Sequence, residues 1–484
     1  MSERKRIYLC LAHMSEAGLE QKYIQEAFDT NWVVPLGPNV NGFEADLEAF
    51  VNERTEFNGS KVQEVQEFNS SNLNPLNPSA KRLEPLEPSN PLNPSAKRLE
   101  PLEPLAKRVV ALSSGTAAVH LALVACGVQP GDEVLVQSFT FCASSHPITY
   151  LGATPVFIDS EKDTWNMDPD LLEEAIKDRI AKTGKKPKAI VPVALYGMPY
   201  KIDRIMEIAN KYGIPVIEDA AEGFGSRFNG QVLGTFGRYG VLSFNGNKMI
   251  TTSGGGALVT DNDTQWREIM MYATQYRESY PYYQHEHIGY NYRMSNICAG
   301  IGRGQMTIAA EHIAHHKKVQ KLYEELLADV PGITVHKQPA GDPHPALDAG
   351  SPAVPVYDSN YWLVTITLDE NLKIKGQENA YRTIVQGAVG GAAGVIHMAA
   401  SATTDCQPNA NVEALRVLMD SAGVEARPVW KPMHKQPCYR NAPAYLNGVS
   451  EAIFKVGMCL PAGPYVTDDD VRYIVECIKN AIEK

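Results

Sequence analysis

One lysine in this sequence is set apart by its neighbours. In SFNGNKMITTSGGG, residues 243–256, Lys248 lies among small polar residues and ahead of three glycines. No acidic residue stands at helical spacing from it, as one would on a solvated helix face. An amine confined in this way suits nucleophilic work on a carbonyl. Other stretches carry complementary chemistry. In SSGTAA, residues 113–118, a strand turns into a helix, and the free N–H groups of a helix N-terminus around Gly115 and Thr116 can cradle a phosphate. The stretch lacks the G-x-x-x-x-G-K-[ST] nucleotide pattern, and Ser and Thr also serve as plain helix caps. In IPVIEDAAE, residues 214–222, Asp219 ends an apolar strand, where it can pair with a cationic ring nitrogen or cap a helix. Glu222 follows three residues later, on the same side of a turn. Phe141 in SFTFCAS can cover a flat ring or join the core. A phosphate cradle, an acid for a ring nitrogen, an aromatic lid and a confined lysine are together the requirements of pyridoxal 5'-phosphate, whose ring serves as an electron sink. Lys248 is then its covalent anchor.

These residues need elements to hold them. Residues 109–260 alternate continuous Val- and Ile-rich runs (VVALSS, EVLVQS, TPVFID, KAIVPVAL, IPVIEDA) with the helical patterns GTAAVHLALVACG, DPDLLEEAIKDRI and IDRIMEIANKYG, the last stopped by Gly213. Strands apolar on both sides and separated by helices predict an α/β fold with a mainly parallel sheet covered on both faces. Ligands of such sheets sit outside the carboxyl ends of the strands. From about residue 305 onward the pattern predicts a second, smaller α/β unit. It has helices at HIAHHKKVQKLYEELL, NVEALRVLMDSAG and DDDVRYIVECIKNAIEK, and a strand at YWLVTITL.

Two stretches stand outside this scheme. Residues 74–88 and 90–104 are both NPLNPSAKRLEPLEP, and their eight prolines exclude sheet and helix interiors. They predict a surface insertion, with a proline-rich recognition site as the alternative. The small-residue stretch 387–411 predicts a loop.

Composition narrows the function classes. The chain has 484 residues, long enough for two sizeable cores. With 45 basic and 56 acidic residues its formal charge is 45 − 56 = −11, which argues against a nucleic-acid or anionic-membrane partner. Eight scattered cysteines without a C-x-x-C pair predict buried, reduced thiols and no metal site. No apolar run has the length of a membrane span and the N-terminus does not read as a signal peptide, so a cytoplasmic location is expected.

The sequence resembles the DegT-type sugar aminotransferases, pyridoxal-phosphate enzymes of fold type I. The resemblance rests on WVVPLGPNVNGFE, SSGTAAVHLAL, SFTFCAS, VPVALYG, VIEDAAEGFGS, LGTFGRYGVLSFNGNKMITTSGGGALV, GYNYRMSNICAGIG and ARPVWKPMH, spread over nearly the whole chain. It implies a large cofactor-binding domain over 1–305 with a mainly parallel seven-stranded sheet, interrupted by the insertion at about 59–105, and a small domain over 306–484. Carried over by position, Lys248 is the lysine that holds the cofactor and Asp219 the partner of its ring nitrogen. Gly115, Thr116 and Ser243 are phosphate ligands, Phe141 stacks on the ring, and Glu222 is a second ring contact. Asn291 matches a residue reaching the phosphate from the neighbouring subunit, which implies a homodimer with shared active sites. Asn247, Arg427 and His434 match nucleotide-sugar contacts. The resemblance further implies glutamate as amino donor and a nucleotide keto-sugar as acceptor. The motifs look most like those of enzymes aminating C4 of a UDP-4-keto-6-deoxy-N-acetylhexosamine, of the bacillosamine type. A C3 aminotransferase of a dTDP-sugar, or a non-catalytic regulatory or scaffold protein of the same fold, are the alternatives. Two departures stand out: Ala194 occupies a position that is His in most members, and the family lacks the proline repeats. Related sugar dehydratases carry His where this chain has Lys248, so the lysine argues for transamination.

Overall fold

The computed structural model describes residues 5–53, 106–341, 355–381 and 406–483. The proline repeats, and all of 387–411 except its last six residues, lie outside the described residues. Of those six, 410 and 411 open the helix Ala410–Ser421 rather than continuing a loop.

Seven strands, numbered β1 to β7 in chain order, build the central layer: Arg108–Leu112, Glu133–Gln137, Thr154–Ile158, Ile190–Val191, Ile217–Asp219, Tyr239–Ser243 and Gly256–Thr260. Hydrogen bonding joins them as β3-β2-β4 and β5-β6-β7-β1. The parallel bridges Ile190↔Val216 and Val193↔Asp219 close the seam between β4 and β5. Pairs within β3-β2-β4-β5-β6 are parallel, and β7 alone runs antiparallel to both its neighbours. The sheet is therefore mainly parallel. A short strand from late in the chain, Ala444–Tyr445, adds itself in parallel to β3.

Alternate residues along each strand feed two different cores. Val109 and Ala111 of β1 pack into one cluster, while Val110 and Leu112 pack into another. Leu135 of β2 likewise faces away from Val134 and Val136. Both faces are buried, which is why the strands read as unbroken apolar runs. The covering helices have chemically defined ends. Asp168 accepts from the N–H groups of Asp170 and Leu171 to start the helix Pro169–Thr183, and Gly184 ends it at φ 70°.

A third cluster fills the second unit. It packs Val319, Tyr323 and Leu327 of the long helix Ala309–Leu327 against an antiparallel sheet ordered Ile333–Val335, Val364–Leu368, Gly457–Leu460, Arg427–Pro428. The closing helix Asp468–Ala481 starts in a capping box between Thr467 and Asp470. Ile7, near the N-terminus, joins this cluster and pairs with Val424. We keep a division near residues 305/306 as a proposal. The long helix begins just beyond it, with Ala309 in the first core and Val319 in the third.

None of the eight cysteines is joined to another in a disulfide, and not all are buried: Cys438 is exposed and Cys126, Cys142, Cys298 and Cys477 are partly so. Among the described residues no helix is long and apolar enough to cross a membrane, and no cluster of His, Cys, Asp and Glu is arranged to hold a metal.

Candidate active site

The sheet order brings the carboxyl ends of β1, β2, β4, β5 and β6 to one edge, together with the start of antiparallel β7. A cavity of about 300 Å³ opens there, lined by Gly115, Thr116, Phe141, Asp219, Glu222, Ser243, Asn247 and Lys248 among others. That volume is at the small end of ligand pockets.

At one wall, the helix Gly115–Ala125 points its N-terminus into the cavity. Ser114 caps it by accepting from Ala117 N–H. The first N–H groups, of Gly115 and Thr116, have no intrahelical partner. Close approach explains two glycines. A Cβ on Gly115 would meet Ser243 Cβ at 2.9 Å, and one on Gly256 would meet Gly115 N at 2.4 Å. The strands β6 and β7 therefore press directly on the helix start. Phe141 follows β2, stays half exposed, and lies tilted against Trp430 with ring centres 5.3 Å apart.

Asp219, which also lines the cavity, ends β5 with only 4% of its surface exposed. Its Oδ2 accepts from Ser144 Oγ at 2.6 Å and its Oδ1 from Ala221 N at 3.2 Å. Burial pushes its carboxyl above the ordinary range, against the lowering effect of Ser144, Ala221 and Lys248. Glu222 is also buried and accepts from Tyr196 N at 2.7 Å. Burial pushes its carboxyl upward as well, with Lys248 the main opposing influence.

Lys248 sits on the turn between β6 and β7, its own N–H donating to Asn245 O. Its Nζ is 3.7 Å from Glu222 Oε1 and 4.3 Å from the centre of the Trp362 ring. The side chain is 14% exposed. Trp362 in turn donates from Nε1 to Asn247 O at 2.7 Å.

Residues 104–375 and 367–479 match the DegT/DnrJ/EryC1/StrS aminotransferase family. The chain belongs to this family. The "Putative pyridoxal phosphate-dependent aminotransferase EpsN" of Bacillus subtilis (strain 168) is 36% identical to it over 478 residues, 98% of this chain and 95% of the relative. The GDP-perosamine synthase of Escherichia coli O157:H7 is 33% identical over 367 residues, 76% of this chain and 84% of the relative. Among solved structures, a DegT DnrJ EryC1 StrS aminotransferase from Brucella abortus superposes with a TM-score of 0.70, covering 97% of this chain and 96% of its own at 22% identity.

This DegT-family protein is thus a pyridoxal-phosphate-dependent aminotransferase of fold type I. Its cavity fits the cofactor. Its lining offers backbone donors and a hydroxyl for a phosphate, and a buried carboxylate whose raised pKa a cationic ring nitrogen would offset. At Gly254, which also lines the cavity, an added Cβ would meet no atom within 4 Å.

Three residues expected from the resemblance do not line the cavity. Asn291 is exposed and bridged to Thr274 in the backbone ladder. Arg427 is exposed, in an ion pair with Glu425 at 2.6 Å. His434 Nδ1 contacts Ser138 Oγ at 2.6 Å, just beyond β2, and burial lowers its pKa. Conversely, the cavity includes Ser144, Trp362 and Trp430, which sequence reasoning did not single out. Trp430 stood in plain view inside ARPVWKPMH. Trp362 lies 115 positions from Asn247, whose carbonyl it contacts, and no local pattern joins them.

Proposed function

We propose that this aminotransferase moves an amino group from glutamate to a keto-sugar carried on a nucleotide, with C4 of a UDP-4-keto-6-deoxy-N-acetylhexosamine as its acceptor. The observation that carries the catalytic part is that Lys248 and the buried Asp219 line one cavity together with the N-terminus of a helix. The sugar part is supported by relatives such as the GDP-perosamine synthase, whose name pairs a nucleotide with an amino-sugar. The choice of UDP and of C4 rests on the motifs WVVPLGPNV, SFNGNKMITTSGGG and RPVWKPMH.

When bound, the cofactor supplies the electron sink that makes the amino-acid Cα–H acidic. The protein's own residues divide the remaining work. Gly115 and Thr116 N–H groups and the Ser243 hydroxyl bind the phosphate. Asp219, held by Ser144, keeps a proton on the ring nitrogen. Phe141 covers the ring face. The Lys248 amine would hold the cofactor covalently and, when free, would accept and return a proton at Nζ. Glu222, beside Nζ, provides a second contact to the ring. Asn247, Arg427 and His434 contact the nucleotide-sugar. Arg427, His434 and Asn291 lie off the cavity within one subunit. We assign the first two to the outer part of the substrate and Asn291 to the partner's site in a homodimer.

The test has two parts. Borohydride should fix the cofactor to the peptide containing Lys248 and to no other, and Lys248→Ala should abolish the visible band, near roughly 420 nm, that glutamate bleaches in the native protein. Glutamate with a panel of UDP-, GDP- and dTDP-linked keto-sugars, read by mass spectrometry and fragment analysis, then identifies nucleotide and amination carbon. An adduct on another lysine overturns the catalytic assignment. A product only from a GDP or dTDP sugar, or aminated at C3, overturns the acceptor assignment.

A further inference from the structure

The sequence EHIAHHKK places His312 and His316 one turn apart near the start of the long helix. Neither reaches the cavity, yet both touch the backbone that shapes it. His312 Nδ1 lies 3.1 Å from Met249 O, the residue after Lys248. His316 Nδ1 lies 3.1 Å from Tyr361 O, the residue before Trp362. Each carbonyl only accepts, so each Nδ1 must carry the proton, leaving Nε2 bare. Consistent with that, Nε2 of neither ring makes a hydrogen bond among the described residues. The imidazoles are 5% and 0% exposed, so burial lowers both pKa values, that of His316 to about 3. Both rings are thus held as neutral donors of one defined tautomer.

The result is a closed frame. Asn247 O receives the Trp362 indole N–H, Met249 O receives His312, and Tyr361 O receives His316. The two peptide segments that carry Lys248 and its ring partner are fastened to one helix, whose histidines do not line the cavity. From this geometry we propose that His312 and His316 are positioning residues: they set where the Lys248 amine stands relative to Trp362 and Glu222, and thereby how readily it attacks. The proposal rests on Lys248 as the cofactor's anchor.

The test exploits the reach of amide side chains. Asn places an N–H close to where Nδ1–H stands, Gln places one nearer Nε2, and Phe keeps the ring volume with no donor. Full-length protein of each type is incubated with pyridoxal phosphate, and the rate at which borohydride fixes it on the Lys248 peptide is measured. Single-turnover reaction with glutamate is read in parallel. His312→Phe and His316→Phe should be slower by about 10-fold in both, with the KM for glutamate little changed, while His312→Asn stays within about 2-fold of the native rate. A His312→Phe protein that melts like the native one and traps at the native rate overturns the proposal, as does an Asn variant as slow as Phe. Should Phe prevent folding, Gln against Asn decides, and equal rates overturn it. An adduct on another lysine overturns the anchor and this proposal together. A Lys248 adduct formed equally fast by every variant overturns this proposal alone.

Discussion

The ammonium group of Lys248 rests 4.3 Å above the ring centre of Trp362, whose own N–H is bonded to the carbonyl next to that lysine. One aromatic side chain thus attracts the charge through its face and holds the backbone through its edge. Trp362→Phe separates the two effects, keeping a weaker face and removing the edge donor. Loss of a buried hydrogen bond of about 1 kcal/mol should slow transamination roughly 5-fold. Stopped-flow absorbance of the glutamate half-reaction measures this, and native kinetics in Trp362→Phe would show that the bond to Asn247 is irrelevant to Lys248.

Asp219 faces the cavity from a buried strand end and is fastened by Ser144. In Asp219→Asn the Ser144 contact can persist, but the negative charge is gone. Cofactor should still bind through the phosphate cradle and Lys248, while turnover falls on the order of 10²-fold or more, the scale of losing a group that stabilises developing charge. Equilibrium dialysis of pyridoxal phosphate and steady-state rates check the two halves. Unaltered turnover removes Asp219 from its assigned role.

The insertion carrying the proline repeats starts and ends at a clasp. Asn52 Oδ1 accepts from Lys107 N at 2.7 Å, and Asn52 Nδ2 donates to Lys107 O at 3.0 Å. The two flanks are already fastened to each other, and the repeats offer few apolar side chains to a core. Excising 59–105 with a short linker should leave the melting temperature within a few degrees and the cofactor spectrum intact. Failure to fold would make the insertion structural.

Acid stability should depend on His336. Its ring stacks on Trp165, with centres 3.8 Å apart, and burial lowers its pKa from 6.5 to about 4. Between those values the unfolded chain takes up a proton that the folded chain refuses, so stability is full above about pH 6.5 and is lost as pH falls toward 4. The contribution is up to about 3 kcal/mol. His336→Phe keeps the stack and removes the titration. Urea unfolding at several pH values should show a shallower acid loss in the variant. Equal slopes would count against a neutral, buried imidazole.

The sequence alone determined several of the strands and helix ends, and it singled out Lys248 as the amine proposed to react. Each of these is a short-range property. A run such as EVLVQS shows its double burial residue by residue, Asp168 and Gly213 mark helix ends through hydrogen bonds and φ within a few positions, and the confinement of Lys248 is visible in its own neighbours. Asp219, Glu222, Phe141 and the SSGTAA helix start with Gly115 and Thr116 were legible in the same local way, the family motifs added Ser243, and all six residues line one cavity.

Only the tertiary structure decided what surrounds the amine. Ser144 meets Asp219 from 75 positions away, Trp362 meets Asn247 from 115, and His312 meets Met249 from 63. Such pairs depend on the strand order β3-β2-β4-β5-β6-β7-β1 and on where the long helix docks, and no local periodicity encodes either. The same holds for Arg427 and His434, whose motif is legible but whose side chains turn to Glu425 and Ser138. A residue's type states what it can bond. Which partner it bonds is settled by the packing of strands and helices distant in sequence, because each side chain can reach only a few ångströms from its backbone.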